Sequence, residues 1–146
     1  MAQPKTISRY HFTAEWGGNR VEFLEISGLD ISVDVVAMRN GNSRENSELK
    51  IPGITRFSEV ILKRNIIQGD NQFFEWINTN NFGTVERRDV VIHLLDNQHQ
   101  PIMLWKLKNA FPAKYLGPVL ISNDSHLATE SLILAYDGFQ MEKFGK

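Results

Sequence analysis

The side chains best suited to chemistry in this sequence are four histidines and one Asp-Ser-His triplet. The histidines are His11, His93, His99 and His126. Their separations do not match the spacing of metal ligands, so solvated or hydrogen-bonded imidazoles are the more ordinary interpretation. The triplet Asp124-Ser125-His126 has the residue types of a hydrolase triad. Adjacent residues on a turn cannot adopt the required nucleophile–base geometry. The sequence therefore predicts no catalytic residue, no metal site and no cofactor.

Composition excludes several other classes of protein. The chain has no cysteine, so disulfides and thiolate metal sites are absent. A formal net charge of -1 argues against a dedicated nucleic-acid binder, which usually carries a basic excess. The N-terminus lacks an apolar leader, and no apolar run approaches the roughly 18 residues that span a bilayer. We expect synthesis in the cytoplasm without a signal peptide and no membrane insertion.

The first part of the chain shows the clearest strand pattern. Its alternating apolar positions are Tyr10, Phe12, Ala14 and Trp16. A period of two is typical of a half-buried strand. Gly17-Gly18-Asn19 predicts a tight turn, after which Val21 and Phe23 resume the apolar face, so we predict a hairpin. The polar face of this hairpin consists of Arg9, His11, Thr13, Glu15, Arg20 and Glu22.

One helix is predicted over residues 71–80, with Asp70 as its cap and Gly83 beyond its end. The spacing of Phe73, Phe74 and Ile77 predicts that these three pack inward, and Trp76 less so. The exposed side of the helix would then include Asn71, Gln72 and Glu75.

A long polar segment separates two predicted strands. It consists of Arg39, Asn40, Gly41, Asn42, Ser43, Arg44, Glu45, Asn46 and Ser47. Ordering such a backbone costs roughly 1–2 kcal/mol per residue, so we expect the loop to become fixed where a neighbouring subunit binds it. The sequence therefore predicts an intersubunit loop.

The remaining pattern is mainly β. Alternation predicts strands over residues 31–35, 57–63, 86–95, 102–108 and 127–136. Pro112 removes a backbone donor and is predicted to end pairing. We predict one domain over residues 1–146, with two packed antiparallel sheets forming a sandwich or barrel and one flanking helix.

Four phrases carry a family resemblance. They are Glu25-Ile26-Ser27-Gly28-Leu29, Ile51-Pro52-Gly53, Leu62-Lys63-Arg64 and Glu130-Ser131-Leu132-Ile133-Leu134-Ala135-Tyr136-Asp137-Gly138. In this order they resemble the tail-tube proteins of contractile phages and phage-tail-like injection systems. Each phrase also has a physical reading: Glu130, for example, lies in an apolar-rich strand and needs a partner or water.

The resemblance implies a structural protein, not an enzyme. Six copies would close a ring whose sheets join into one continuous β-barrel, and rings would stack into a hollow tube. The implied partners are other copies of the chain, a sheath protein facing Asn71, Gln72 and Glu75, baseplate and terminator proteins, and a cargo of effector protein or phage DNA. The polar face of the predicted hairpin would line the lumen or lie at a ring surface. The alternative function is a monomeric or dimeric ligand-binding β-barrel module.

Overall fold

A computed structural model describes residues 6–18, 21–39, 41 and 48–144. Over these ranges the chain forms nine strands, one α-helix and one 3₁₀ turn. The elements are β1 Phe12–Glu15, β2 Phe23–Ser27, β3 Ile31–Met38, β4 Leu49–Phe57, β5 Val60–Asn65, α1 Gln72–Asn78, the 3₁₀ turn Thr79–Phe82, β6 Arg88–Leu95, β7 Pro101–Leu116, β8 Thr129–Ala135 and β9 Gly138–Lys143. The prediction of a mainly β fold with two packed antiparallel sheets and one helix is confirmed.

Strand β7 belongs to both sheets. Sheet I has the order β1-β6-β7-β9 and uses the first half of β7, while sheet II has the order β7-β8-β5-β2 and uses the second half. All of these pairings are antiparallel. The change of sheet occurs at Asn109, whose φ of 54° bends the strand. Asp89 accepts a hydrogen bond from the Asn109 backbone at 3.1 Å, and Asp137 accepts one from its side chain at 2.7 Å.

Pro112 does not end pairing, and this prediction was wrong. It lies opposite Leu134 within the β7–β8 ladder, and the register shifts before Lys114. A bulge is one of the places where a strand tolerates the missing proline donor. The strand predicted over residues 57–63 is interrupted, because Ser58 and Glu59 separate β4 from β5. The strand predicted over residues 127–136 is confirmed as β8, and β9 follows it as an unpredicted strand.

The predicted hairpin between β1 and β2 is not formed. β1 pairs with β6, and β2 pairs with β5, so the two strands lie at opposite ends of the hydrogen-bonded path. Trp16 is buried between them, and the chain at Gly18 passes so close that a Cβ would lie 2.3 Å from its ring. Gly17 and Gly18 therefore let the chain pass close to the Trp16 indole, and they do not form a hairpin turn between β1 and β2.

The core lies between the sheets and under α1. Buried side chains from both sheets meet the helix residues Phe73 and Trp76.

The prediction of the inward face of the helix was partly wrong. Phe73 is buried and Ile77 is half-buried, as predicted, but Phe74 is 52% exposed and Trp76 is buried in its place. The Trp76 indole donates to the Glu86 carbonyl at 2.7 Å, which gives the buried ring its polar partner. Gly83, with φ 89°, ends the 3₁₀ turn.

Strands β3 and β4 form a separate two-stranded ribbon outside both sheets. It leaves sheet II between β2 and β5. Val33 pairs with Thr55 and Val35 with Pro52, so Gly53 and Ile54 together lie opposite the single residue Asp34 and form a bulge in β4. A Cβ on Gly53 would lie 3.1 Å from the Asp34 carbonyl, which explains a glycine at this close approach.

Candidate assembly surfaces

Arg64 is enclosed in the core and joins two strands to the start of the helix. Its Nε donates to Glu130 at 2.8 Å, and its terminal nitrogens donate to Asp70 at 3.1 and 3.2 Å. The Tyr115 hydroxyl donates to the second Glu130 oxygen at 2.6 Å. The Phe73 ring centroid lies 4.1 Å from the guanidinium carbon. The expectation that Glu130 needs a partner is confirmed, and Arg64 is directly opposite it in the ladder.

Two members of this cluster have shifted pKa values. Burial alone would raise the pKa of Asp70, but hydrogen bonds from the Gln72 backbone and Arg64, together with the Arg64 charge, outweigh it and lower that pKa. Burial, the hydrogen bond to Glu130 and the Glu130 charge raise the pKa of Tyr115 to about 12. At neutral pH a charged Asp70 therefore binds Arg64, and a neutral Tyr115 donates to Glu130. Because Arg64 and Glu130 are buried, these contacts join β5 and β8 to the start of α1.

The outward face of sheet II is made mostly of small and polar side chains. Along β5 and β8, buried positions alternate with half-buried ones. The half-buried positions are Ile61, Lys63, Asn65, Thr129, Ser131, Ile133 and Ala135. Glu25 of β2 lies opposite Lys63, and Lys114 of β7 lies opposite Ile133. This face therefore combines opposite charges with hydroxyl and amide groups.

The two outer edges of sheet II are unpaired among the described residues. β2 pairs only with β5, and residues 111–116 of β7 pair only with β8. Because sheet II has four antiparallel strands, these two edge strands run in opposite directions. An unpaired edge presents a row of backbone donors and acceptors that can accept another chain.

The β3–β4 ribbon exposes apolar side chains on both of its faces. Its exposed aliphatic side chains, 36–66% accessible, are Ile31, Val33, Val35, Val36, Met38, Leu49, Ile51 and Ile54. Since side chains alternate along a strand, Val35 and Val36 point to opposite faces. A two-stranded ribbon alone is at best marginally stable in water. An apolar surface of this extent usually marks an interaction site, and the consecutive pair Val35-Val36 is its only clear sequence signal.

The predicted intersubunit loop lies at the tip of this ribbon. Of its nine residues, Arg39 and Gly41 are described and exposed, whereas Asn40 and residues 42–47 lie outside the described residues. The intersubunit role of this loop stays a prediction, and sequence reasoning missed the apolar ribbon beside it.

The predicted polar face is only partly assembled as expected. Arg9, Glu15 and Glu22 are exposed, His11 and Thr13 are half-buried, and Arg20 lies outside the described residues. Glu22 precedes β2, which pairs with β5 and not with β1, although His11, Thr13, Glu15 and Glu22 line the same cleft between these strands. These residues therefore do not share one strand pair.

The predicted outward side of α1 is accessible. Asn71 and Glu75 are exposed, and Gln72 is half-buried. Asp70 lies one residue before the N-cap Asn71, and its carboxylate accepts a hydrogen bond from the Gln72 backbone at 3.0 Å while also binding Arg64. The exposed Phe74 adds an aromatic ring to this accessible side.

The histidines and the triplet show no catalytic arrangement. His11 and His99 have ring centroids 4.9 Å apart, and His93 lies 3.9 Å from Glu15. In the triplet, Asp124 contacts the ring and backbone nitrogens of His126, which lower the pKa of Asp124. Within the described ranges, no cluster of three or more His, Asp or Glu side chains could hold a metal ion. Among the same residues, no helix is long and apolar enough to cross a membrane.

Several solved structures share this architecture. The chain is 27% identical to a protein in the anti-feeding prophage tube-terminating cap, with a TM-score of 0.89 over 99% of this chain and 95% of that chain. It is 28% identical to one in the sheath–tube complex of the extracellular contractile injection system PVC, with a TM-score of 0.86 over 95% and 93% of the two chains. Hcp1 from Flavobacterium johnsoniae, 19% identical with a TM-score of 0.58 over 92% and 97%, shares the fold. A search of curated proteins finds no match.

The mainly β fold, with two antiparallel sheets and one helix, is a tube-like fold. The model of the T4-like virus tail tube protein gp19 family matches residues 8–140. The chain therefore belongs to that family and is a tail-tube protein of contractile phage-like systems. This assignment confirms the resemblance noted in the sequence, and the alternative of a ligand-binding barrel module is not favoured.

Proposed function

We propose that six copies of this single-domain chain close a ring through the edges of sheet II, and that rings stack into a hollow conduit. The observation that carries the proposal is the opposite direction of the two free edges. When copies are arranged around an axis, β2 of one copy meets β7 of the next as an antiparallel neighbour. The ladder then continues from copy to copy, and no edge of sheet II stays exposed.

Sheet II, not sheet I, is proposed as the wall of the bore. Sheet I also has four antiparallel strands, but the ribbon is attached to sheet II through β2 and β5. The small, polar outward face of sheet II suits a water-filled conduit, because a strongly apolar wall would retain cargo. The polar residues at β1, including Arg9, His11 and Glu15, would then lie at a ring surface.

The ribbon and its polar tip, residues 39–47, are proposed as intersubunit contacts. The support is the set of exposed aliphatic side chains on both ribbon faces, which a neighbouring copy would cover. Deleting residues 40–46 should impair assembly while leaving the sheets folded. Normal tubes from that variant would remove the tip from the interface.

Engineered cysteines test ring closure directly, because the natural chain has none. In sheet II, Glu25 pairs with Lys63, Lys63 pairs with Ser131, and Ser131 pairs with Leu116. Glu25 and Leu116 therefore lie at the same level on the two edges of the sheet. In a closed ring, Glu25→Cys of one copy faces the Leu116→Cys edge of the next, and Cβ atoms within about 4.5 Å form a disulfide. A second pair, Ser27→Cys with Lys114→Cys, tests the same register two residues further along both strands.

Oxidised double variants should give a ladder ending at six chains on denaturing gels. Each single variant is the matched control and should give no ladder. Light scattering and negative-stain imaging of the natural chain should show rings or tubes. A stable monomer at all concentrations, without cross-linked ladders, would contradict the proposal.

The other proposed partners follow from the relatives. The similar proteins occur in a sheath–tube complex, a sheath/tube terminator, a tube-terminating cap and a baseplate. We propose that this chain is made in the cytoplasm and assembles into such a particle. Sheath protein would bind the α1 side with Asn71, Gln72 and Glu75, and an effector protein or phage DNA would pass through the bore. The role is structural, without enzymatic activity.

A further inference from the structure

Two imidazoles meet at the end of the molecule where β1 begins. The ring centroids of His11 and His99 lie 4.9 Å apart, with the ring planes inclined at 61°. His11 directly precedes β1, and His99 lies in the turn between β6 and β7. The two residues are far apart in the sequence, and the pairing of β1 with β6 brings their side chains together.

Backbone hydrogen bonds fix both sides of this contact. The Leu95 backbone donates to the His11 carbonyl at 2.8 Å, and the His99 backbone donates to the Asp96 carbonyl at 3.0 Å. The Tyr10 ring packs against the His11 ring with a centroid separation of 4.1 Å. The two imidazoles are therefore attached to a well-defined framework before any ligand binds.

The ring nitrogens of this pair are available to a ligand. Neither imidazole forms a hydrogen bond with another described residue. His93 and His126 differ, because His93 lies 3.9 Å from Glu15 and the His126 ring contacts Asp124. His11 is half-buried and His99 is exposed, so an ion in solution can reach both rings.

The cleft beside the two rings favours a cation. His11 and His99 line a cleft next to β1 and the start of β2, and Glu15 and Glu22 line the same cleft. None of the described residues that line it is Lys or Arg. Two carboxylates without a described positive partner give this cleft a negative potential, which raises the local concentration of cations.

We propose that His11 and His99 together bind one divalent transition-metal ion, for which zinc is the natural candidate. Imidazole nitrogen suits Zn²⁺, Cu²⁺ and Ni²⁺. A Zn–N bond of about 2.0–2.1 Å places each ring centroid roughly 3.2 Å from the ion, so two rings at a tetrahedral angle lie about 5 Å apart. The observed centroid separation of 4.9 Å meets this requirement. Two protein ligands leave the remaining coordination positions to water.

A bound ion would fasten β1 to its sheet. β1 has four residues and pairs only with β6, so one short ladder holds it. A bridge from His11 to His99 would add a second link, between the start of β1 and the β6–β7 turn. The inference departs from the sequence prediction of no metal site, because spacing along the chain cannot show that these two segments meet. It does not depend on the proposed ring.

Zinc titration of the chain without a polyhistidine tag tests the site. The natural chain should bind one Zn²⁺ per copy in isothermal titration calorimetry. Its thermal unfolding midpoint should rise with zinc and return to its original value with EDTA, because the ion binds the folded state. His11→Gln and His99→Asn should each remove both effects. Asparagine is chosen at position 99 because it tolerates the φ of 62° found there.

His126→Gln is the matched control. This exposed histidine has its own partner in Asp124, so the variant should bind zinc like the natural chain. Bound Co²⁺ gives a second readout, since its visible absorption should appear with the natural chain and be absent from the His11 and His99 variants. Circular dichroism checks folding, and if one of these two variants does not fold, the other decides.

Three results would overturn the proposal. The first is a natural chain that binds no zinc, and the second is unchanged zinc binding by folded His11→Gln or His99→Asn. The third is loss of binding in His126→Gln, which would place the ion elsewhere. Because binding is counted per copy, each result has the same meaning whether or not the chain forms rings.

Discussion

Two arginine–carboxylate pairs of almost equal length lie in very different regions of this molecule. Arg64 donates to Glu130 at 2.8 Å in the core, with side chains 0% and 6% exposed. Arg56 pairs with Asp34 at 2.9 Å on the ribbon, with side chains 63% and 42% exposed. The first pair is surrounded by Phe73, Tyr115 and Asp70, whereas the second is open to water. Two ion pairs of equal length can therefore contribute differently to stability, because the surroundings set the free-energy cost of breaking each pair.

The comparison separates what folds the subunit from what assembles it. Around Arg64, every charged group has its partner within the same chain, and the pairs are enclosed. On the ribbon, aliphatic side chains remain in water on both faces. We therefore expect core variants to unfold the subunit, and ribbon variants to leave the subunit folded but change its association.

The largest effect is expected for Arg64→Ala. Removing this guanidinium leaves Glu130 and Asp70 without their buried partner, which should cost about 3–5 kcal/mol of the free energy of unfolding. Arg56→Ala is the matched control and should cost less than about 1 kcal/mol. Urea unfolding at equal protein concentration measures both. Similar losses for the two variants would contradict the distinction between the regions.

The next effect concerns neighbouring phenylalanines on α1. Phe73→Ala removes a fully buried ring that contacts Arg64 and Trp16, and should cost about 3–5 kcal/mol. Phe74→Ala removes an exposed ring and should change the unfolding free energy by about 0.5 kcal/mol or less. The same urea experiment reports both. A larger loss for Phe74 than for Phe73 would reverse the helix face described above.

A smaller effect on the free energy of unfolding is expected at high pH, and it involves one tyrosine in each region. Tyr115 donates to Glu130 in the core, and Tyr136 donates to the Ser58 carbonyl at the base of the ribbon. Burial first, and then nearby acidic charge, raises each pKa from 10.0 to about 12. Because the folded state favours the neutral phenol, this stability is present below pH 10 and is lost as pH rises through about 12.

The tyrosines can be separated by substitution. Tyr115→Phe should reduce the fall in the free energy of unfolding between pH 10 and 12. Tyr136→Phe should reduce the same fall by a separate amount. The double variant should have the flattest profile. If Tyr115→Phe keeps the full pH dependence of the natural chain, its bond to Glu130 does not contribute in this way.

The smallest effect on folding is expected for Glu75→Lys. This exposed helix residue should change the unfolding free energy by no more than about 0.5 kcal/mol. Tubes should form normally, while sheath attachment should weaken because the reversed charge misaligns a polar interface. Co-sedimentation of sheath protein with tubes measures this. Equal recruitment would exclude Glu75 from the sheath contact, and failure to fold would contradict its outward position.

The sequence predicted the strand-rich composition and the position of the helix because these follow from local periodicity. It did not predict pairing partners, since Gly17-Gly18 signals a turn but cannot show that Trp16 is enclosed by the chain passing it. The inward position of Trp76 depended on the Glu86 carbonyl, which lies on a later segment. The ribbon was missed for a different reason. Its aliphatic side chains are not buried in the core of their own chain, so patterns that predict a core give them no role.

Pro112 illustrates the same limit within one strand. Its missing donor correctly predicts a disturbance of the ladder, but the bulge before Lys114 absorbs that disturbance and β7 continues. Whether a proline ends a strand or only shifts its register depends on β8, the neighbouring strand, which local sequence around Pro112 does not reveal.

The sharing of β7 between both sheets has a mechanical consequence. In an ordinary sandwich, the two layers are held together by side-chain packing and can slide past each other under shear. Here sixteen residues of continuous backbone pass from one layer into the other, and the bend at Asn109 is clamped by Asp89 and Asp137. A force on one layer would therefore reach the other through covalent bonds, without relying on side-chain packing alone.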